Sequence, residues 1–123
     1  MITLVFCLRR LPHLTREAFH ARWINGHGPM VAERASVLRI ARYVQSHTFE
    51  GKRLGGVAAI RSAPEPYDGV AQVSWNSVDD LMATFDDPKA SAAALELLED
   101  ERAFIDLPRS PIFFTREHVV VGS

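Results

Sequence analysis

The sequence has very little cysteine and no excess of charge of either sign. Cys7 is the one thiol, so no internal disulfide can form, and a single thiolate is far from a structural zinc cluster. The 14 lysines and arginines nearly balance the 15 aspartates and glutamates, which leaves a formal net charge of -1. A broad basic surface of the kind that binds duplex nucleic acid is therefore excluded.

Long apolar runs are also missing. No stretch approaches the roughly 20 residues that span a bilayer. The charges of Arg9 and Arg10 follow the first apolar segment, which is the reverse of a signal peptide. We therefore expect a cytoplasmic protein without a membrane partner. Apolar residues still make up 47% of the 123 residues, enough for one core, so we expect a single domain over residues 1–123.

Four segments have the composition of β-strands. They are short, rich in β-branched and aromatic residues, and bounded by proline, glycine or charged residues. In the second segment, alternation places Tyr43, Gln45 and His47 on one face. Prolines and glycines at 51–66 predict a long loop. The predicted strands are residues 2–8, 40–49, 67–76 and 112–121.

The first helical region follows the first strand. Thr15 has the chemistry of an N-cap, and Phe19 and Trp23 form one apolar face at a spacing of four residues. The residues at 25–29 include glycines and a proline that disfavour a regular α-helix. We therefore predict a kink or a short break there, and a second helical piece over residues 30–38 for which Pro29 can be the first residue.

The second helical region follows the third strand. Asn76 or Ser77 can cap it, and Pro88 is suited to start a second piece. The element order is then β, α, β, β, α, β. The crossover rules place both helical regions on one face of a four-stranded antiparallel sheet, which is a ferredoxin-like α+β fold.

His27 is the first candidate for chemistry. Along a continuous helix it would lie between Trp23 and Val31 on the buried stripe. A buried histidine stays neutral near pH 7 and can accept a proton. The alternative is that His27 bonds a carbonyl freed by the break at Pro29. His20 lies about 10 Å from His27 along the axis, too far to share a metal ion, so we expect no metal site.

His47 is the second candidate, because it shares a strand face with Tyr43 and Gln45. If that face looks toward the helices, the three side chains line a pocket that His27 also reaches. If it looks away, they are polar groups of a subunit interface. The aromatic residues that could wall such a pocket, or could simply pack the core, are Phe19, Trp23, Tyr43 and Trp75.

Four other polar residues have weaker signals. Asp68 and Asp106 could orient a histidine or transfer a proton, although Asp68 before a glycine is also typical of a turn and Asp106 of a loop cap. His118 on the last strand could be an axial haem ligand. His13 beside a proline is expected at the surface.

Several motifs follow one another in order and together carry a resemblance. They are Leu14-Thr-Arg-Glu-Ala-Phe19 continuing to Trp23 and His27-Gly-Pro29, then Arg42-Tyr-Val-Gln-Ser-His47, Tyr67-Asp-Gly69, and Asp100-Glu-Arg-Ala-Phe-Ile-Asp106. The chain closely resembles the EthD domain, a branch of the dimeric α/β-barrel superfamily, from Leu4 to about Val120.

This resemblance implies a ferredoxin-like protomer whose sheet pairs with a second copy to form a barrel, so we expect a homodimer. Members include a protein linked to bacterial ether degradation and fungal enzymes that dehydrate or cyclise aromatic polyketides. Wider relatives include cofactor-free monooxygenases, muconolactone isomerases and haem proteins. The positions that match the family pattern are His27 in the H-x-P motif and His47 at the end of R-Y-V-Q-x-H.

We therefore predict a protein that binds a small apolar or aromatic carbonyl compound. His27, His47 and Tyr43 would transfer protons without a cofactor, in a dehydration, cyclisation or enolisation, and Phe19, Trp23, Gln45 and Trp75 would contact the substrate. One alternative is a non-catalytic ligand-binding or accessory protein of an oxidative degradation pathway. The other is an oxygenase, either haem-dependent or cofactor-free.

Overall fold

The computed structural model describes residues 1–123 and contains one antiparallel sheet of four strands. The strands are β1 (Ile2–Leu8), β2 (Arg42–His47), β3 (Gly69–Trp75) and β4 (Ile112–Thr115). Their order in the sheet, β2-β3-β1-β4, confirms the predicted ferredoxin-like arrangement. The last strand stops at Thr115 and not at 121 as predicted. It pairs only with the first strand, which begins at Ile2, so the chain beyond Arg116 has no backbone to pair with.

The first helical region is continuous, so the predicted irregularity at 25–29 is a widened turn and not a break, and Pro29 lies in the first turn of the second piece. Helix α1 (Arg16–Arg22) begins at the predicted cap Thr15, whose hydroxyl accepts from the N–H of Ala18 at 3.1 Å. It passes directly through one wide π-helical turn (Trp23–His27) into α2 (Gly28–Arg34). The π turn inserts one residue into the helix, which accommodates a proline without stopping the chain.

The second piece of this region is shorter than predicted. Helix α2 ends at Arg34, and turns follow as far as Arg39. Arg39 adopts a positive φ of 56°, and the N–H of Ile40 donates to the carbonyl of Ala35 at 2.9 Å. This closing hydrogen bond is the usual way to end a helix before a strand.

The segment at 51–66 is not loop throughout, since it includes the short helix α3 (Gly55–Ala59). The next helices, α4 (Val78–Phe85) and α5 (Pro88–Glu101), have the predicted caps. The hydroxyl of Ser77 accepts from the N–H of Asp80, and Pro88 begins α5. No helix of the chain is both long enough and apolar enough to cross a membrane.

Helices pack on one face of the sheet only. The helix-facing side chains of β1 and β3 include Phe6, Leu8, Ala71 and Trp75, all of them buried. One core cluster joins Phe6, Leu8 and Ala71 to Phe19, Trp23, Phe104 and Ile105. A second cluster joins α2 and the turn after it to α5 through Val31, Leu38, Ala90, Ala93 and Leu97. The other face carries Val5, Val44, Val70 and Phe113, and no helix covers it.

Candidate active site

A cavity of about 260 Å³ lies between the sheet and the helices. Of its 21 lining residues, 18 are hydrophobic. Three of these residues, Phe85, Ile112 and Phe114, are half or more exposed, so the cavity opens to solvent between α4 and β4. An apolar cavity with few polar groups suits a small apolar or aromatic ligand.

Three polar residues, and the hydroxyl of Tyr43, which is one of the 18 hydrophobic residues, interrupt the apolar lining. The hydroxyl of Thr84 is occupied, because it donates to the carbonyl of Leu81 at 2.7 Å. The other three are His27, Glu101 and Tyr43. The Nε2 atom of His27 lies 3.7 Å from a Glu101 oxygen, and the charge of Glu101 contributes to raising the pKa of Tyr43. These three groups therefore lie near one another.

The π turn places His27 at the cavity. His27 is the last residue of the wide turn and is only 6% exposed. The N–H of Gly28 reaches back five residues to the carbonyl of Trp23, which rotates the residues after Trp23 relative to a regular α-helix. Such turns are rare and are frequent at functional sites.

Asp100 fixes the orientation and the protonation state of His27. Its carboxylate lies 2.8 Å from Nδ1 of His27 and also accepts from the guanidinium of Arg22. The bond from Arg22 lowers the pKa of Asp100 more than burial raises it, and the bond from His27 lowers it further. The ionised carboxylate accepts a hydrogen from Nδ1, so Nε2 keeps the lone pair on the side of Glu101 and the cavity.

His27 is thus a buried base. Burial lowers its pKa, and the hydrogen bond to Asp100 opposes that effect only in part. The imidazole is therefore neutral near pH 7 and its Nε2 can accept a proton. An Asp–His pair of this kind is a common way to activate a general base.

Glu101 is a buried acid. Burial raises its pKa to about 7, and the nearby charge of Asp100 adds to the rise. Its side chain is 19% exposed. At neutral pH both protonation states of this carboxyl are populated, so it can donate a proton or accept one.

The face of β2 that the sequence left undecided looks toward the helices. The amide nitrogen of Gln45 donates to the carbonyl of Trp23 at 3.0 Å, and the ring of His47 stacks on Trp23 with centroids 4.6 Å apart. His47 does not line the cavity, however. The cavity therefore does not bring His47 together with His27. Tyr43, the third residue of this face, does line the cavity.

The predicted aromatic wall is present in part. Trp23, Tyr43 and Trp75 line the cavity, and the indole N–H of Trp75 donates to the carbonyl of Leu38 at 2.8 Å. Phe19 is fully buried and packs against Trp23 and Phe104, and it is not a lining residue. Gln45 is not a lining residue either.

Asp68 joins the loop before β3 to the first helical region. Its buried carboxylate accepts from the backbone N–H and the guanidinium of Arg10 and from Nε of Arg16. Burial raises the pKa of Asp68, but these hydrogen bonds lower it more, so the group stays ionised. His20 donates to its carbonyl at 2.7 Å. Both residues hold the fold together and lie outside the cavity lining.

The remaining candidates also lie away from the cavity. Asp106 pairs with Arg109 at 3.6 Å, and His13 is exposed in a turn. His118 is exposed in the segment after β4, so it gives the cavity no axial haem ligand. No cluster of three or more metal-binding side chains occurs in the chain.

The chain matches a known protein family. The family model of the EthD domain matches residues 11–108, which is most of the chain. The chain belongs to the EthD domain family. No curated protein matches it.

Solved structures share the fold of this EthD-domain protein at low sequence identity. An EthD family protein from Bacillus halodurans C-125 has a TM-score of 0.61 at 11% identity, over 96% of this chain and 100% of its own. A dimeric protein of unknown function with a ferredoxin-like fold, from Bacteroides fragilis, has a TM-score of 0.57 at 8% identity over 94% and 95%. SnoaB from Streptomyces nogalater, described as a cofactor-independent oxygenase, has a TM-score of 0.53 at 16% identity over 99% and 97%.

Two groups of the site of this EthD-domain protein were not predicted from the sequence, namely Asp100, which contacts His27, and Glu101, which lines the cavity. A signal for Glu101 was available. Ala94, Leu97 and Glu101 follow at helical spacings of three and four residues, so the carboxyl continues the apolar face of α5. Burying a carboxyl at the end of an apolar stripe costs free energy, which marks the residue as a candidate for function. Here the carboxyl borders the cavity.

Proposed function

We propose that this EthD-domain protein is a cofactor-independent enzyme that removes a proton from the carbon beside a carbonyl of a small apolar or aromatic compound. The observation that carries the proposal is His27. Its Nδ1 is held by Asp100, and its free Nε2 lies beside Glu101 at an apolar cavity. Burial keeps the pKa of His27 low enough for the neutral form to act as a base.

In the proposed step, the C–H bond breaks and its proton moves to Nε2 of His27. The electron pair of that bond forms the carbon–carbon double bond of an enolate, and the negative charge moves to the oxygen. The hydroxyl of Tyr43 and the neutral carboxyl of Glu101 are the groups near His27 that can donate to this oxygen. The imidazolium formed is stabilised by the carboxylate of Asp100.

The enolate can react further in two ways. Protonation of a leaving hydroxyl by the carboxyl of Glu101 completes a dehydration. Return of the proton from His27 to another carbon completes an isomerisation. A carboxyl whose pKa is about 7 is suited to donate at neutral pH.

Oxygenation is the second candidate reaction. The structural likeness to SnoaB, described as a cofactor-independent oxygenase, favours it. The first step is the same, since an electron-rich enolate in an apolar cavity can react with dioxygen as the co-substrate. The Asp100–His27 pair would supply the base in either case.

The test follows proton removal itself, with β-tetralone in deuterated water as the probe. Nuclear magnetic resonance reports the exchange of the protons beside its carbonyl. We expect His27→Ala to slow the protein-dependent exchange about a hundred-fold to ten-thousand-fold. His13→Ala, which changes an exposed histidine, should leave it unchanged.

Exchange at the wild-type rate in His27→Ala would overturn the proposal. Binding of β-tetralone without any exchange would favour the non-catalytic ligand-binding alternative. Consumption of dioxygen that depends on β-tetralone and on His27 would select oxygenation.

The assembly we propose is a homodimer that covers the free face of the sheet. Val5, Val44, Val70 and Phe113 stand on the face opposite the helices. Phe113 is 47% exposed. A sheet face of this composition is usually covered by another layer, and a second copy of the same face is the simplest one. The similar fold from Bacteroides fragilis is described as dimeric, which supports the same arrangement.

A further inference from the structure

The amide of Gln45 makes three hydrogen bonds between the surface and the cavity, with both of its donors and its oxygen engaged. Its nitrogen lies 3.0 Å from the carbonyl oxygen of Trp23 and 2.9 Å from the hydroxyl of Tyr43. Its oxygen lies 2.9 Å from Nε2 of His47. Gln45 therefore connects a histidine outside the cavity to a tyrosine that lines it.

The backbone carbonyl of Trp23 determines which group is the donor in each of these hydrogen bonds. A carbonyl only accepts, so the atom of Gln45 that faces it must be the NH₂ group. The second hydrogen of the same NH₂ group then points to the oxygen of Tyr43, which must accept it. The amide oxygen of Gln45 faces His47, whose Nε2 must carry a hydrogen and donate it.

The hydrogen of the Tyr43 hydroxyl is thereby left for another acceptor. Its oxygen accepts from Gln45, and the indole of Trp23 is a second donor beside it. The bond with Gln45 is the only one within hydrogen-bond distance, so no protein acceptor takes the hydroxyl hydrogen. Tyr43 lines the cavity near Glu101 and His27. An acceptor atom of a ligand bound in the cavity can therefore take the hydroxyl hydrogen of Tyr43.

We propose that Gln45 and His47 are positioning residues that hold the Tyr43 hydroxyl as a hydrogen-bond donor to an oxygen of the bound ligand. The identity of that oxygen as a carbonyl or enolate oxygen rests on the proposed function. The direction of the bonds does not, because the carbonyl of Trp23 alone determines it.

In this geometry His47 anchors Gln45 and does not itself transfer a proton to or from the ligand. Its ring is held between Trp23 and His20, with centroids 4.6 Å from each. Its Nε2 carries a hydrogen in the tautomer required here and also in the charged form. The anchor for Gln45 therefore persists when His47 titrates. Ligands with an oxygen acceptor should bind more tightly than hydrocarbons of the same shape.

The first experiment reads the bond direction from the titration of Tyr43. The chain has two tyrosines, so Tyr67→Phe leaves only Tyr43 to contribute tyrosinate absorbance. If the oxygen of Tyr43 accepts from Gln45, the N–H stabilises the tyrosinate, and Gln45→Leu raises the pKa. If Tyr43 donates to Gln45 instead, the same change lowers the pKa. Gln72→Leu on the opposite sheet face is the matched control and should leave it unchanged.

A raised pKa in Gln45→Leu supports the proposal, whereas a lowered or unchanged pKa overturns it. The second experiment covers the case in which Gln45→Leu does not fold, and it compares β-tetralone with tetralin by calorimetry. One net hydrogen bond corresponds to a preference of about five-fold for the ketone in the wild type. Tyr43→Phe should reduce that preference several-fold, and an unchanged preference would overturn the proposal.

The two experiments separate this inference from the proposed function. Absence of binding of both probes to the wild type would count against the proposed ligand class, while the direction of the Tyr43 pKa change would still decide the hydrogen-bond chain. If His27→Ala loses exchange while Tyr43→Phe keeps the ketone preference, the proposed role of His27 as the base is supported. The positioning role of Gln45 and His47 is then refuted.

Discussion

Replacing Glu101 with glutamine tests the most unusual group in the cavity through the stability of the fold. Glu101 ends helix α5 with its side chain 19% exposed, beside His27 and close to the charge of Asp100. Burial raises its pKa from 4.5 to about 7. The folded protein therefore binds a proton at this carboxyl that the unfolded chain has already released.

The size of the effect follows from the two pKa values. One pKa unit corresponds to about 1.4 kcal/mol, so the rise from 4.5 to about 7 amounts to about 3 kcal/mol. Between these pH values the native state holds more protons than the unfolded state, and the free energy of unfolding falls as the pH rises. The contribution is fully present below pH 4.5 and is lost as the pH passes through about 7.

The assay is urea unfolding of the wild type and of Glu101→Gln at several pH values. His27 and His47, whose pKa values are lowered by burial, make stability rise with pH in part of the same range. Both proteins contain them, so their contribution largely cancels in the difference between the two curves. The variant should gain about 3 kcal/mol relative to the wild type from acidic pH to above pH 7.

Parallel curves for the two proteins would refute the reasoning, because they would mean that Glu101 ionises in the fold as it does in water. Glu99→Gln is the matched control. Glu99 lies two residues earlier with its side chain 62% exposed, so this change should leave the pH dependence of stability as it is in the wild type.

Two further predictions concern packing and assembly. Gly69→Ala should lower the free energy of unfolding by about 1–3 kcal/mol, since the new Cβ would lie 2.5 Å from the buried ring of Trp23. The control is Gly55→Ala, because no atom lies within 4 Å of the Cβ there. This change should not destabilise the protein in the same urea titration. Phe113→Asp should convert the proposed dimer to a monomer in light scattering, whereas Leu95→Asp, on an exposed position of α5, should leave the dimer intact. A monomeric wild type would count against the dimer directly.

Local chemistry was enough to predict most helix and strand positions. Thr15, Ser77 and Pro88 act within one turn of the chain, and the structure uses each of them where the sequence placed it. The end of β4 depended instead on how far β1 extends, which is a property of the pairing and not of the strand. The π turn also escaped prediction, because a proline predicts a break as readily as a widened turn.

The site was predictable where it depended on periodicity. His27 lies on the helical stripe that also carries Trp23, and both line the cavity. Asp100 is 73 residues away from His27 along the chain, so no local pattern could reveal their hydrogen bond. The predicted partner His47 lies instead against Trp23, and Gln45 connects it to the cavity only through Tyr43.

By itself the sequence determined the ferredoxin-like element order, the apolar face of each helix and a buried histidine, since these follow from hydrophobic periodicity and from capping within a few residues. Only the tertiary structure decided what that histidine can do. The packing of α5 against the π turn brings Asp100 to Nδ1 and Glu101 to Nε2 of His27. Burial in that contact then lowers the pKa of the imidazole and raises that of Glu101, because desolvation disfavours the charged form of each.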